Sequence, residues 1–297
     1  MLQCVLGALL TTVVAAASSA SSDGANAAAG PKAVLAAALD RSEGGTRALA
    51  SVVAAGGGVG QGFLGFNLNG VRGRVDSAGL RSAASSILGS GGFLRYPGGS
   101  IANYWDWRVG WCVPNSTKLQ RYPSQCAGTN LRYTLEEFHS LLRSAGGSAV
   151  FDLNVMSSSV QEQLAMLRAA AALGLDVTHV ELGNEFYLRG SPDYTASFPD
   201  GAAYGKVANH YAAAILAEFP RATVAAVGAA RTGPHEDDRL RLWNSQLFST
   251  LDTTLVRALT LHPYIIPGRN LTTGGPRDPR QPGGWSAAEQ RQQIELL

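Results

Sequence analysis

Little in this chain points to metal, thiol or nucleotide chemistry. The five histidines, His139, His179, His210, His235 and His262, do not fall at metal-ligand spacings, and the three cysteines form no CxxC pair. A Gly-x-Ser-x-Gly nucleophile elbow is missing, which removes the usual serine-hydrolase signature. The run Gly56-Gly57-Gly58 has neither Rossmann spacing nor a Walker lysine, so it reads as a linker or turn. With 24 Lys and Arg against 22 Asp and Glu, a net charge of +2 and no basic block, a nucleic-acid partner is not indicated. No metal or cofactor is expected, and nothing in the sequence specifies an oligomeric state.

The 297 residues are enough to bury a large core, and 45% apolar with 15% charged residues is the profile of a folded domain. Residues 1–20 run apolar from Val5 to Ala17 and then turn to small polar residues. That pattern is expected to be a secretory signal peptide, too short for a membrane span, with a secreted or lumenal (lysosomal or extracellular) destination. Residues 21–61 form an Ala/Ser/Gly-rich leader with helical patterns at Pro31 to Asp40 and Arg47 to Ala54. Removal of the signal discards Cys4 and leaves Cys112 and Cys126, which an oxidising compartment would allow to close as a disulfide. Asn115 and Asn270 stand in N-glycosylation sequons. Free thiols and unmodified asparagines are the plainer alternative.

From residue 62 onward, short apolar strands alternate with amphipathic helices. Strands are expected at Gly62 to Asn67, Phe93 to Tyr96, Ala149 to Val155, Val180 to Glu185, Thr223 to Val227 and Val256 to Leu261. Helices are expected at Ala78 to Leu88, Thr134 to Leu142, Val160 to Leu173, Ala203 to Phe219, Leu240 to Leu251 and from Ser286 onward, the second with Glu137 at the capping-box position. Alternation alone fits an open doubly wound sheet or a closed barrel. The polar residues decide between them. Asn67, Arg95, Asn154, the pair Asn184-Glu185, and His262 fall at or just after the C-terminal ends of five different strands, where a barrel enzyme gathers its site. The fold class is therefore α/β, a (β/α)8 TIM-barrel type present over 62–297 as about six βα units, an incomplete barrel.

The chemistry centres on Val180-Glu181-Leu182-Gly183-Asn184-Glu185, a buried strand that ends by presenting an amide beside a carboxylate. Retaining glycoside hydrolysis needs a carboxylic acid that protonates the leaving oxygen and a second carboxyl group as nucleophile. Glu185 suits the acid/base role, and Asn184 can donate to a hydroxyl next to the anomeric carbon, provided Gly183 turns the chain so that both face one sugar. The loop from Leu94 through Arg95, Asn103, Trp105 and Trp107 is rich in aromatic faces and hydrogen-bonding groups, as sugar sites are. Leu261-His262-Pro263-Tyr264 follows at the next strand end, where His262 can orient a carboxylate. For each of these residues a purely structural role is the competing reading.

Taken together, Val180 to Glu185, Asp152-Leu153-Asn154 and Leu261-His262-Pro263-Tyr264 resemble the heparanase and β-glucuronidase family of retaining clan-A glycoside hydrolases. The Arg-Tyr-Pro-Gly-Gly loop is also similar to arabinofuranosidase-type members of the clan. The resemblance implies a (β/α)8 barrel, Glu185 as acid/base, Asn184 as the sugar ligand, and substrate-binding roles for Asn67, Arg95, Asn154, His262 and Tyr264. It also implies a nucleophilic Glu on strand seven. Glu289 and Glu295 sit in a helical pattern and do not fit that role, so the nucleophile is expected beyond Leu297, in a chain truncated before it and inactive by itself. The expected substrate is an oligo- or polysaccharide containing glucuronic acid or a related sugar. Another clan activity (arabinofuranosidase, xylosidase or glucanase) and a carbohydrate-binding pseudoenzyme are the alternatives.

Overall fold

Where apolar, β-branched segments alternate with helical ones, strands line up in chain order. The computed structural model describes residues 65–67, 81–82, 84–85, 92–113, 126, 132–189, 191–230 and 236–262. Within them, β1 (Gly65–Asn67) and β2 (Phe93–Tyr96) open a parallel sheet. The chain then makes a short 3-10 helix, Ser100–Tyr104, and a small antiparallel pair, β3 (Trp105–Asp106) and β4 (Trp111–Cys112). Helix α1 (Leu135–Ala145) leads to β5 (Ser148–Asp152), and α2 (Val160–Ala172) to β6 (His179–Glu181). Helices α3 (Pro192–Ser197) and α4 (Gly201–Glu218) precede β7 (Thr223–Gly228), and α5 (Asp238–Thr250) precedes β8 (Ala258–Leu261).

The sheet order is β1-β2-β5-β6-β7-β8, parallel throughout, so each strand lies beside the next one of its sheet in sequence. A doubly wound sheet would reverse direction at a switch point, and this one does not. The described residues thus form the wall of a partial (β/α) barrel, the architecture expected from the sequence.

Local chemistry explains the helix ends. Thr134 Oγ1 accepts from Glu137 N while Glu137 Oε2 accepts from Thr134 N, the reciprocal capping box anticipated for α1. Ser159, Asp200 and Asp237 cap α2, α4 and α5 in the same way with a side-chain oxygen. Leu135, Phe138, Leu141, Leu142 and Ala145 form the buried face of α1, each large side chain contributing about 1.5–3 kcal/mol of burial. Further along the chain, Trp243 of α5 stacks on Tyr204 of α4 with ring centroids 5.7 Å apart. The Tyr204 hydroxyl is inserted between two strands, donating to Leu182 O and accepting from Val227 N.

Several boundaries differ from the sequence reading. Residues Ala149 to Val155 read as one strand, but β5 ends at Asp152, because Val155 N turns back to Leu153 O. Val180 to Glu185 also read as a strand; β6 stops at Glu181 and Leu182 makes one further bond, to Ala225 O, before the chain turns. Helix α4 starts at Gly201 rather than Ala203 because Asp200 caps it, and α3 was not anticipated. Cys112 and Cys126 are joined as a disulfide with Cα atoms 5.8 Å apart. The signal peptide, the leader and its glycine run, the final helix with Glu289 and Glu295, Asn115, Asn270, His235 and Tyr264 lie outside the described residues.

Candidate active site

The strand-end residues converge because two loops are folded onto each other. After β2, the cis Tyr96–Pro97 peptide and Gly98 and Gly99, at φ 77° and 70°, lead the chain into the 3-10 helix. That brings Asn103 over the end of β6. Its side-chain amide donates to Asn184 O (2.7 Å) and accepts from Asn184 N (2.9 Å), pairing with the backbone of Asn184 as another strand would. Tyr96 OH, which accepts from Trp105 Nε1 and donates to Tyr133 O, fixes the base of the same loop.

At the end of β6 the turn itself is built from two left-handed residues. Gly183 has φ 88°, and a Cβ there would collide with the Phe186 ring, so both conformation and space require glycine. Glu185 has φ 49°, a region that costs a non-glycine residue roughly 1–2 kcal/mol. The result is that Asn184 and Glu185, which an extended strand would point to opposite sides, come together: Asn184 Nδ2 lies 3.3 Å from Glu185 Oε2.

Beneath them Arg95 collects four strand ends. Its guanidinium bonds to Glu181 through Nε and to Asp152 Oδ2 through Nη2 at 2.7 Å. It also donates to Asn184 Oδ1 at 3.1 Å and to Asn67 Oδ1 at 3.3 Å. The bond to Asn184 Oδ1 determines which way that amide faces, leaving Nδ2 for Glu185. Burial alone would lower the Arg95 pKa, but the Asp152 and Glu181 carboxylates outweigh it and hold it above its ordinary value. Burial pushes the Asp152 carboxyl well up; Arg95 opposes this, and Glu181 and Glu185 add to it.

Glu185 is 5% exposed and receives two further neighbours. Tyr187 OH donates to Oε1 at 3.3 Å, and His262 Nδ1 stands 3.2 Å from the same oxygen. Tyr194, whose phenol burial pushes up to about 12, faces Asn103 and Ser100 and stays neutral across the physiological range. The arrangement can hold a carboxyl group in a fixed pose, with donors on both oxygens and little water around it.

Of the residues singled out from the sequence, Asn67, Arg95, Asn184, Glu185 and His262 are thus joined by direct contacts. Asn154 sits one step away: its Nδ2 donates to Trp105 O and Ser157 Oγ, Ser157 N donates to its Oδ1, and Ser157 Oγ donates to Asn103 O. Asp152, Glu181 and Tyr187, which the sequence reading gave no site role, belong to the cluster, and so does Asn103, read there only as part of the loop after β2. A signal existed for the first two, since a carboxylate closing an apolar strand calls for a buried partner. Among the described residues no group of three or more His, Cys, Asp or Glu side chains is arranged to hold a metal ion.

No family model matches the chain, and no curated protein matches it. The likeness found is to solved structures of arabinofuranosidases. A thermostable GH51 α-L-arabinofuranosidase from Thermotoga petrophila RKU-1 is 19% identical over 59% of this chain and 37% of its own, with a TM-score of 0.42. A family 51 α-L-arabinofuranosidase from Bifidobacterium longum is 15% identical over 63% and 37%, with a TM-score of 0.49. The GH51 arabinofuranosidase from Xanthomonas axonopodis pv. citri is 18% identical over 68% and 42%, with a TM-score of 0.44. The chain therefore spans 37–42% of the length of these three.

Proposed function

We propose that the strand-end cluster is the acid/base half of a retaining glycoside hydrolase site, with Glu185 as proton donor to the glycosidic oxygen. The observation that carries this reading is the Glu185 carboxyl group, nearly sealed from solvent yet held at the end of a barrel strand by Tyr187, Asn184 and His262. A general acid must be aimed before the sugar arrives, and donors on both of its oxygens accomplish that. Once the leaving group departs, the same carboxylate accepts a proton from the water that completes hydrolysis. Asn184, with Oδ1 committed to Arg95, holds Nδ2 against Glu185 Oε2 at 3.3 Å and Ser100 Oγ at 3.4 Å, long bonds that a sugar hydroxyl would replace. His262 and Tyr187 keep Oε1 oriented, while Asn67 and Asn154 act from behind, through Arg95 and Ser157.

Asp152 and Glu181 both hold Arg95, so neither is given the role of the nucleophilic carboxyl, which a retaining mechanism needs about 5–5.5 Å from the acid. The motif resemblance supports a glucuronic-acid-containing or related glycan as substrate, and the Cys112–Cys126 bond supports secretion. One observation favours a second reading of the sugar. Among the described residues Arg95 is the arginine of the cluster, and the Asp152 and Glu181 carboxyl groups already occupy its guanidinium. A uronic carboxylate would need a different cation, so a neutral sugar such as an arabinofuranoside or xyloside fits the described residues better.

The test is turnover of a panel of aryl glycosides, including glucuronide, arabinofuranoside, xyloside and glucoside, by the full chain and by Glu185→Gln. Turnover of one class is expected only where the nucleophilic carboxyl is also present, with its loss in the variant by about a hundredfold or more, the scale of general acid catalysis; without that carboxyl no turnover is expected. Turnover that survives Glu185→Gln sinks the assignment. Glycan binding without turnover of any member, with the nucleophilic carboxyl present, moves the protein to the pseudoenzyme reading.

A further inference from the structure

A buried arginine away from the strand-end cluster has no part in the chemistry described so far. Arg239, in the first turn of α5, is 9% exposed. Its guanidinium donates to three main-chain carbonyls: Phe186 O at 2.6 Å and Phe198 O at 2.7 Å through Nη2, and Pro199 O at 2.6 Å through Nη1. It lies 5.0 Å from the centroid of the Trp243 ring. Burial lowers its pKa, Arg189 adds to that, and Asp237 and Asp200 oppose it. A buried cation at a helix N-terminus is an unfavourable placement, because the helix dipole already presents positive charge there. Charge-assisted bonds to the three carbonyls offset that cost, and they matter most where a carbonyl itself needs holding.

One of them has that need. Phe186 follows Glu185 directly, and Glu185 and Leu188 close a turn through the bond from Leu188 N to Glu185 O. Glu185 occupies the left-handed region, a conformation that survives only where its surroundings impose it. The surroundings act on Phe186 from two sides. Its ring fills the space next to Gly183 and packs on Tyr194, Phe198 and Tyr204, while its carbonyl is pinned by Arg239. The peptide so fixed sets where Tyr187 begins, and Tyr187 carries the hydroxyl that reaches Glu185 Oε1.

We infer that Arg239 is a positioning residue for Glu185: by clamping the carbonyls of Phe186, Phe198 and Pro199 it holds the 185–188 turn in the conformation that aims the carboxyl group at Tyr187 and His262. The inference rests on the acid/base reading for its meaning, but its test does not use turnover. The full chain, labelled with 13C at glutamate side-chain carboxyls, is titrated by NMR as wild type, Arg239→Met, Arg239→Lys and Leu247→Ala; Glu185 is assigned with Glu185→Gln. Leu247 is a buried core residue of the same helix and controls for simple loss of stability.

Arg239→Met is expected to move the Glu185 midpoint by about half a pH unit or more, the scale on which losing one hydrogen-bond donor acts. Arg239→Lys, whose ammonium lacks the planar fork for three carbonyls, is expected to give a smaller shift in the same sense. Leu247→Ala is expected to lower the melting temperature with the Glu185 midpoint unchanged. A wild-type Glu185 titration in Arg239→Met overturns the inference, whatever its melting temperature. If Arg239→Met does not fold, Arg239→Lys decides: a displaced midpoint supports the clamp and a wild-type one overturns it. Survival of turnover in Glu185→Gln would remove the acid/base reading and leave these titrations standing.

Discussion

The same parallel strands that carry Arg95, Asp152, Glu181, Asn184, Glu185 and His262 at their C-terminal ends, all at most 5% exposed, begin at the opposite end among groups that stay in water. There Arg168 pairs with Glu218 at 2.7 Å, but the two side chains are 56% and 34% exposed, and Asp176 and Arg221 nearby are exposed as well. An exposed pair contributes little, whereas a buried cluster carries a desolvation cost that its internal bonds only partly offset. The contrast extends to the backbone. Gly174 and Gly183 have nearly equal φ, 86° and 88°, yet a Cβ on Gly174 would meet nothing within 4 Å and one on Gly183 would strike Phe186. One end is permissive. The other is over-determined, as a site that must hold a carboxyl group in one pose requires.

The sharpest way to break that comparison is to remove one arginine from each end. Arg95→Met leaves Asp152 and Glu181 buried without their cation and is expected to cost about 3–5 kcal/mol in denaturant unfolding, enough to threaten the fold. Arg168→Met is expected to leave the melting temperature unchanged. Equal effects would show that burial does not divide the two ends. A milder contrast uses the glycines. Gly174→Ala is expected to cost about 1 kcal/mol through its φ alone, and Gly183→Ala at least about 1–2 kcal/mol more through displacement of Phe186. Equal losses would mean the Phe186 contact carries no energy.

The smallest effect is in the pH dependence. Asp152 has a folded pKa raised above its ordinary 3.8, chiefly by burial. The native state then keeps a proton that the unfolded chain has released, so stability falls as pH rises from about the ordinary value through the folded one. Asp152→Asn, which resembles the protonated side chain, is expected to flatten that slope in melting curves taken across this range. A slope unchanged in the variant would assign the pH dependence to another group.

Much of the barrel wall was legible because it depends on local pattern: apolar strands in chain order, a capping box at Thr134, and polar residues at strand ends. The candidate site was legible where a polar residue falls near or just past a strand's C-terminal end, as with Arg95, Asn184, Glu185 and His262. What escaped was tertiary. Asp152 and Glu181 close β5 and β6 and gain meaning only through Arg95, which reaches across from β2. Asn103 was overshadowed by the aromatics around it, and its pairing with the Asn184 backbone depends on how the loop after β2 folds back. Arg239 shares a helical turn with Arg241, an exposed partner of Asp238, and nothing in the local sequence separates the buried arginine from the solvated one. Asn154 was placed at the right strand end, but its amide is engaged by Trp105 and Ser157.

The most direct test of Glu185 as proton donor is the dependence of hydrolysis on the leaving group. Aryl glycosides whose phenols leave readily need little protonation, and those with poor leaving groups need it fully. The account predicts that Glu185→Ala depresses kcat/KM for poor leaving groups by about 10²–10⁴-fold, the range of general acid assistance, and much less for activated ones. Equal losses across the series, or none, would contradict it.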